Sequence, residues 1–475
     1  MDRPKAPEAR SQAAALVAGL VARARAAQAI ADDYDQARID ELVAAAAWAI
    51  LEPGRNRELA QLAVRDTGIG NVEDKVLKNH RKTLGLLRDL HGRKTVGVIS
   101  EDRAAGIVEI ARPVGVVCAV TPSTNPAATP ANKIINSLKA RNAVIVAPSP
   151  KGASTCAKLL EYVHAEFDRI GAPRDLVQML PPPVTKETTG ELMRQCDLVV
   201  ATGSQANVRA AYASGTPAFG VGAGNVASII DETADVEDAA RKVVLSKTFD
   251  NATSCSSENS LVLVEAIADR MIAALAQEGC VEVKGEDRER LESTMWPEGK
   301  LSPAVIGQSV AAIAQRAGLS EPAAARARAL LVSETGTGPA HRFSGEKLSP
   351  VLTVYRVPDF EAAMDMVARI YEFQGAGHSV SLHSKRPERA LELGLHLPVA
   401  RVIVNQVHVV ANGGSFSNSL PVSLSMGCGT WGDNNFSDNL NVRQYMNVTR
   451  VVTEIAEKVP SVEELLKEYF QRWGK

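Results

Sequence analysis

Between residues 113 and 230 short apolar runs alternate with stretches of helical spacing, and this alternation limits the possible folds more than any other feature of the chain. Residues 114–120, 143–147, 176–180, 198–201 and 226–230 read as strands, and 127–139, 153–170, 186–194 and 205–213 as helices. Strands that are apolar along their whole length, separated by helices long enough to cross back, form a parallel sheet covered on both faces. The fold class is α/β, and such sheets bind ligands at the carboxyl ends of their strands. A less regular repeat follows Cys255, with a strand at 260–264, a helix at 266–278 and further α/β segments to about Val410, which predicts a second unit.

The flanks have a different period. Residues 10–92 are helical, with apolar residues at three-and-four spacing and a break at Pro53-Gly54. Residues 95–100 and 107–112 around the turn-like EDRAAG predict a β-hairpin, which is marginal alone and is expected to pack on a neighbouring subunit or domain. Residues 411–440, rich in Gly, Ser and Asn, read as loops, and 461–473 as a closing helix with Ser461 and Glu464 as a capping box. At 475 residues the chain is long enough for roughly three units.

Composition removes several function classes. The formal net charge of -2, with no block of like charge, argues against nucleic acid or an anionic membrane as partner. The apolar run 13–22 imitates a signal-peptide core, but Asp2 and Glu8 precede it and Arg23 and Arg25 follow, so it reads as a surface helix of a cytoplasmic protein. No uninterrupted apolar run approaches the ~20 residues of a membrane span. The cysteines at 118, 156, 196, 255, 280 and 428 lack CxxC pairs or His partners at metal spacing, so no disulfide framework or metal site is expected.

Chemistry is expected at LSKTFDNATSCSSENS, residues 245–260, where Cys255 stands among small hydroxyl and amide residues. A nucleophilic thiol needs room for a carbonyl and donors for the oxyanion that its attack creates. An inert packed cysteine predicts apolar neighbours instead. Asn125, in TPSTNPAATP, follows a strand between prolines and can offer an amide to an oxyanion, or simply form a turn. His378 in GAGHSV and Glu346 in SGEKLSP each have a structural reading as well. No G-x-G-x-x-G is present, and the turn Ala201-Thr202-Gly203-Ser204-Gln205 stands where a pyrophosphate would meet a helix start.

Taken in order, PVGVVCAVTPSTNPAATP, ATGSQANVRAAYASGTPAFGVGAGN, SKTFDNATSCSSENS, EKLSPVLTVY, GAGHSVSLH and SMGCGTWGDNN resemble the aldehyde dehydrogenase superfamily, in its CoA-acylating branch. The resemblance implies a Rossmann-like cofactor domain at 1–94 and 113–248, an α/β catalytic domain at 249–440, and an oligomerisation hairpin and C-terminal segment at 95–112 and 441–475. It makes Cys255 the nucleophile and sets the Asn125 amide and the Cys255 N–H around the oxyanion, with His378 close by. It places Thr121, Pro122, Ser149, Lys151, Thr202, Gly203, Ser204 and Gly222 about an NAD or NADP cofactor, with Glu346 near the nicotinamide ribose. It further implies a small aldehyde and coenzyme A as substrates and a homodimer or homotetramer.

Two departures carry information. Hydrolytic relatives place a water-activating Glu where this chain has Val221, and a valine takes no proton, so the acyl group is expected to leave on coenzyme A. Pro150 and Lys151 stand where NAD-using members carry an acid for the adenosine ribose, which admits NADP. Glu258 is three residues from the thiol and reads as structural. Among acylating members the chain looks most like those acting on sulfoacetaldehyde, with acetaldehyde, propionaldehyde and succinate semialdehyde as alternatives. A hydrolytic enzyme and a non-catalytic assembly protein are the rival readings.

Overall fold

The computed structural model describes residues 6–475; Asp2 and the first residues of the 1–94 segment lie outside the described residues. Four helices open the chain: α1 (Ala6–Asp32), α2 (Gln36–Leu51), α3 (Pro53–Thr67) and α4 (Val72–Leu90). The predicted break falls at Glu52, whose carboxylate accepts from the Gly54 and Arg55 N–H groups and so caps α3 behind Pro53. By length and composition 12–32 is apolar enough to cross a membrane, contrary to the reading of its sequence. In the fold Val17, Leu20, Val21, Ala24 and Ala27 of α1 are buried in the core of the first sheet, and Arg25 forks onto Asp197 with two bonds of 2.9 Å.

Two hairpin strands, β1 (Gly97–Asp102) and β2 (Ile107–Pro113), lead into a five-stranded sheet. Its strands are β3 (Val116–Thr121), β4 (Ala143–Pro148), β5 (Val177–Met179), β6 (Leu198–Thr202) and β7 (Ala218–Val221). They are parallel and lie in the order β5-β4-β3-β6-β7. The intervening helices α5 (Ala128–Lys139), α6 (Ala153–Ile170), α7 (Lys186–Gln195) and α8 (Gln205–Tyr212) are close to their predicted bounds. From β3 the chain first winds towards β5 and then reverses to β6 and β7, so the crevice between β3 and β6 is the point where an open sheet of this kind accepts a ligand.

The second sheet has seven parallel strands: β8 (Val226–Ile230), β9 (Glu258–Val264), β10 (Cys280–Glu282), β11 (Ala329–Ser333), β12 (Val351–Val357), β13 (Val380–His383) and β14 (Val402–Val404). Their order is β10-β11-β12-β9-β8-β13-β14. The strand at 226–230, which the sequence groups with the first series, pairs here with β9 and β13. Apolar strands of either sheet have the same pattern, and only long-range pairing separates them. Helices α9 (Val236–Thr248) and α10 (Glu265–Gln277) cover one side of the second sheet, and the helix Phe360–Phe373 joins a separate core on its strands.

The predicted hairpin finds a neighbour within its own chain. Strand β15 (Met446–Val452) pairs antiparallel with β2 and makes a three-stranded sheet within the chain. The closing helix is split into Val462–Leu465 and Lys467–Trp473, and its cap is the Ser461 hydroxyl, which accepts from the Glu464 N–H at 3.0 Å.

Candidate active site

The loop that carries Cys255 is bent into an unfavourable shape and held there. After α9 the backbone of Asp250, Asn251 and Ala252 takes φ values of 51°, 52° and 59°. Each non-glycine residue in this region costs on the order of 1 kcal/mol or more, so the surroundings must over-determine it. The Asp250 carboxylate supplies most of that hold. It is fully buried and accepts from the Asn71 N–H (3.0 Å), Thr253 Oγ1 (2.8 Å), Lys75 Nζ (3.0 Å) and Lys78 Nζ (2.6 Å). Burial raises its pKa, but Lys78 and Lys75 outweigh burial and keep it below the usual carboxylate range. Asn251 Nδ2 adds a bond to the Gly307 carbonyl at 3.1 Å. A Cβ on Gly70 would stand 1.9 Å from Asp250 Oδ1, so only glycine lets the α3–α4 turn close over this carboxylate.

Cys255 is half-buried, three residues before β9. Its Sγ lies 3.3 Å from His378 Nε2, and His378 Nδ1 lies 2.8 Å from Ser379 Oγ. Burial pushes the thiol up to about 12, with Glu346 and then Cys428 adding to the shift. Burial, then Arg401 and His408, hold His378 well below the ordinary histidine value. Thiol and imidazole are therefore both neutral in the free protein near pH 7. Arg401 fixes this imidazole in place, since its guanidinium donates to the His378 carbonyl (2.9 Å) and the Gly427 carbonyl (2.7 Å).

Most of the polar neighbours of Cys255 are spent on structure. His408 Nδ1 bonds the Ser256 carbonyl at 2.8 Å, Asn412 Nδ2 donates to Ser256 Oγ at 2.9 Å, and Asn259 Oδ1 accepts from the Lys347 N–H at 3.0 Å. Ser254 alone of them lines a cavity enclosing about 440 Å³ of empty space, part of it open to solvent. Its other walls are Lys78, Arg81 and Lys82 of α4, Asn125, Phe249, Val409, Val410 and Leu424. The pocket is thus cationic on one side and apolar on the other, not the small-polar pocket that NATSCSSENS suggests. Asn125 stands at its edge with its Oδ1 taken by Lys78 Nζ at 2.8 Å, which fixes the amide with Nδ2 as the free donor end apart from a long 3.4 Å contact to Thr124.

Glycines surround the thiol elsewhere. A Cβ on Gly224 would lie 2.8 Å from Cys255 Cβ, and one on Gly377 or Gly432 would strike Cys428. Gly222 faces Cys428 Sγ and Gln205 at ordinary contact distance, its Cβ position being 3.5 Å from each. Glu346 keeps part of its surface exposed, but burial pushes its carboxyl up to about 8 against the pull of the Gly224 N–H and of Lys247 and Lys347. It is not the solvated surface charge that its sequence context permits. Glu258 begins β9 fully buried, and burial raises it to about 7.

The residues assigned to the cofactor come together at one edge. Thr121 pairs with Pro148, Val120 with Ala201 and Thr202 with Val221, so Thr121, Ser149, Thr202 and Gly222 end neighbouring strands at one level. Pro122 and Gly203 face each other across the switch point, 3.9 Å from the Pro122 ring to the Cβ position of Gly203. Ser204 caps α8, and Thr202 Oγ1 lies 2.7 Å from Ser425 Oγ. Thr121 Oγ1 is buried without a partner, a group that fits an incoming ligand at this edge. Lys151 is exposed on the turn after β4. Val221 is buried at the end of β7, a side chain that takes no proton.

Sequence reasoning missed Lys75, Lys78, Arg81, Lys82, Arg401 and Cys428. The α4 cations carry a faint signal, since Lys78, Arg81 and Lys82 share one helix face, but nothing local connects them to a cysteine more than 170 residues later.

Residues 5–294 match the pattern of the Aldehyde dehydrogenase family. A sulfoacetaldehyde dehydrogenase (acylating) from Cupriavidus necator is 66% identical over 463 residues, covering 98% of this chain and 94% of that protein. The crystal structure of an acetylating aldehyde dehydrogenase from Geobacillus thermoglucosidasius superposes with a TM-score of 0.91 at 35% identity, covering 95% of this chain and 99% of that one. A propionaldehyde dehydrogenase from Rhodopseudomonas palustris with bound propionyl-CoA gives 0.82 at 25% identity, with coverage of 92% and 94%.

Proposed function

This chain belongs to the aldehyde dehydrogenase family, and on that premise we propose that it is a CoA-acylating member that oxidises sulfoacetaldehyde with NAD(P)+ through a thioester on Cys255. The observation that carries the acylating reading is that the carboxyl acting most strongly on Cys255 is protonated and no glutamate stands at the hydrolytic position. By the family resemblance Val221 stands opposite the hydrolytic glutamate, and the carboxyl that acts most strongly on Cys255, Glu346, holds its proton up to about pH 8. The substrate reading rests on the Cupriavidus relative, named for that aldehyde and alike along nearly the whole chain.

Cys255 Sγ attacks the aldehyde carbon while its proton passes to the neutral His378 Nε2, 3.3 Å away. The oxyanion is held by Asn125 Nδ2 and the Cys255 N–H, donors fixed before the charge develops. Thr121, Ser149, Thr202 and Gly222 would hold a nicotinamide nucleotide along this strand edge, and the group would supply the acceptor for the hydride that leaves as the carbon–oxygen double bond re-forms. His378 releases its first proton to solvent and takes another from the coenzyme A thiol as that sulfur attacks the thioester. Cys255 leaves as thiolate and is reprotonated through the same imidazole.

The exposed apolar residues of β15 and the tail, Val451, Val452, Ile455, Val459, Leu465 and Trp473, are the face on which copies of the chain associate as a homodimer or homotetramer. The free cysteines suit a reducing cytoplasm. The deciding experiment follows reduced nicotinamide with sulfoacetaldehyde, acetaldehyde, propionaldehyde or succinate semialdehyde, with NAD or NADP, each with and without coenzyme A. Turnover is expected only with coenzyme A and fastest on sulfoacetaldehyde. Full-rate turnover without coenzyme A, or free carboxylic acid with no acyl adduct on Cys255 by mass spectrometry, overturns the acylating reading.

A further inference from the structure

The cavity beside Asn125 has an unspent cation. Lys78, Arg81 and Lys82 stand on one face of α4, and two of them have their protons committed within the protein. Lys78 Nζ serves Asn125 Oδ1, Asp250 Oδ2 and Thr253 Oγ1, at 2.8, 2.6 and 3.3 Å. Lys82 Nζ serves the carbonyls of Gly413 (2.9 Å), Gly414 (3.0 Å) and Val410 (3.5 Å). Arg81 forms no ion pair or hydrogen bond among the described residues; its guanidinium only stacks on Phe416, 5.1 Å from the ring centroid, while Arg88 occupies the same ring at 5.4 Å. Positive charge is in excess around the cavity. Asp250 is the carboxylate bonded to the lysines of α4, and it is shared between Lys75 and Lys78.

We propose that Arg81 is the specificity-determining residue that receives the sulfonate of the substrate. The inference rests on the acylating reading and adds to it the group that recognises the anion. The sulfonate sits one carbon from the aldehyde, so its receptor has to share a pocket with the oxyanion amide, and Arg81 and Asn125 line the same cavity. A guanidinium offers two parallel donors to an oxyanion group, is less strongly hydrated than an ammonium and stays charged at every working pH. The contact with Phe416 leaves the donors of the fork unused. Phe249, Val409, Val410 and Leu424 form the apolar remainder of the cavity, while Arg81 is itself exposed, so its contribution comes from its free donors and not from enclosure. Lys78 sets the amide that faces the carbonyl, and Lys82 pins the 410–414 wall, so each cation has a separate task.

The test compares wild type, Arg81→Gln and Arg81→Lys on sulfoacetaldehyde and on acetaldehyde, with ethanesulfonate as a competitive inhibitor and as a calorimetric ligand. Losing charged hydrogen bonds should lower kcat/KM for sulfoacetaldehyde roughly 10–100-fold in Arg81→Gln, mostly through KM. Acetaldehyde turnover and the KM for coenzyme A should stay as in wild type, ethanesulfonate inhibition should disappear, and Arg81→Lys should recover part of both. Equal losses on the two aldehydes, or a shift confined to the KM for coenzyme A, overturn the assignment. Failure of the parent reading looks different: wild type then turns over neither aldehyde with coenzyme A, and ethanesulfonate binding, present in wild type and absent in Arg81→Gln, still upholds the anion site. Ethanesulfonate bound equally by both proteins refutes it.

Discussion

The two flanks of Cys255 are built on opposite principles. On the α4 flank the work is done by long charged side chains: Lys75, Lys78 and Asp250 lock a strained loop, and Lys78 aims the Asn125 amide. On the other flank side chains are missing, with Gly222, Gly224, Gly377 and Gly432 gathered around Cys428 and the thiol. On the proposed function the difference follows from what each flank would do. A developing oxyanion has to meet donors that do not reorganise, whereas a flat nicotinamide has to come within contact of sulfur, and any Cβ there would be in its way.

Substitutions on the two flanks should therefore separate kinetically. Cys255→Ala, the point common to both, should lower nicotinamide reduction on the order of 10⁴-fold or more, measured in steady state with the elution volume in gel filtration as in wild type. On the charged flank, Lys78→Met should cut kcat roughly 10²–10³-fold through the loosened amide, with the KM for nucleotide unchanged. A nucleotide KM that rises with it would blur the division. On the open flank, Gly222→Ala should do the reverse and raise the nucleotide KM about tenfold while leaving kcat and melting temperature close to wild type, since its Cβ meets nothing nearer than 3.4 Å.

Protonation sharpens the same contrast. With the free thiol pushed up to about 12, alkylation of Cys255 by iodoacetamide should be slow at pH 7 and climb about tenfold per pH unit through pH 10, because only the thiolate reacts. A plateau near pH 8 would mean that the glycine flank already favours the anion without cofactor. The smallest effect belongs to an exposed cation: Lys151→Ala should reduce preference for NADP over NAD about threefold to fivefold, the scale of one exposed charge pair.

The sequence pattern exposes what is periodic or local. Strands β3, β4 and β6 are visible because each is an apolar run between helices, and Asp235 marks the start of α9 by its position before Glu237 and Asp238. β7 escapes because Ala218–Val221 is four residues among glycines, and β8 goes to the wrong sheet because pairing partners leave no periodic trace. At the site, the family resemblance brings out Cys255, Asn125 and His378, and the Cys255–His378 contact joins residues 123 positions apart. The α4 cations stay hidden for a physical reason. Lys and Arg at helical spacing describe an ordinary solvated face until tertiary contacts draw Lys75 and Lys78 onto Asp250 and Lys82 onto the 410–414 backbone.

One consequence concerns the order in which the chain is made. Strand β2 leaves the ribosome long before its outer neighbour β15, since 334 positions separate Pro113 from Asn447, and Ile107 has to wait for Val452. Through that interval the edge has bare amide and carbonyl groups, open to any stray strand. Only a polypeptide that has passed Val452 can cover it, so the three-stranded sheet closes after both large sheets have been synthesised, and products terminated before that point keep an open edge.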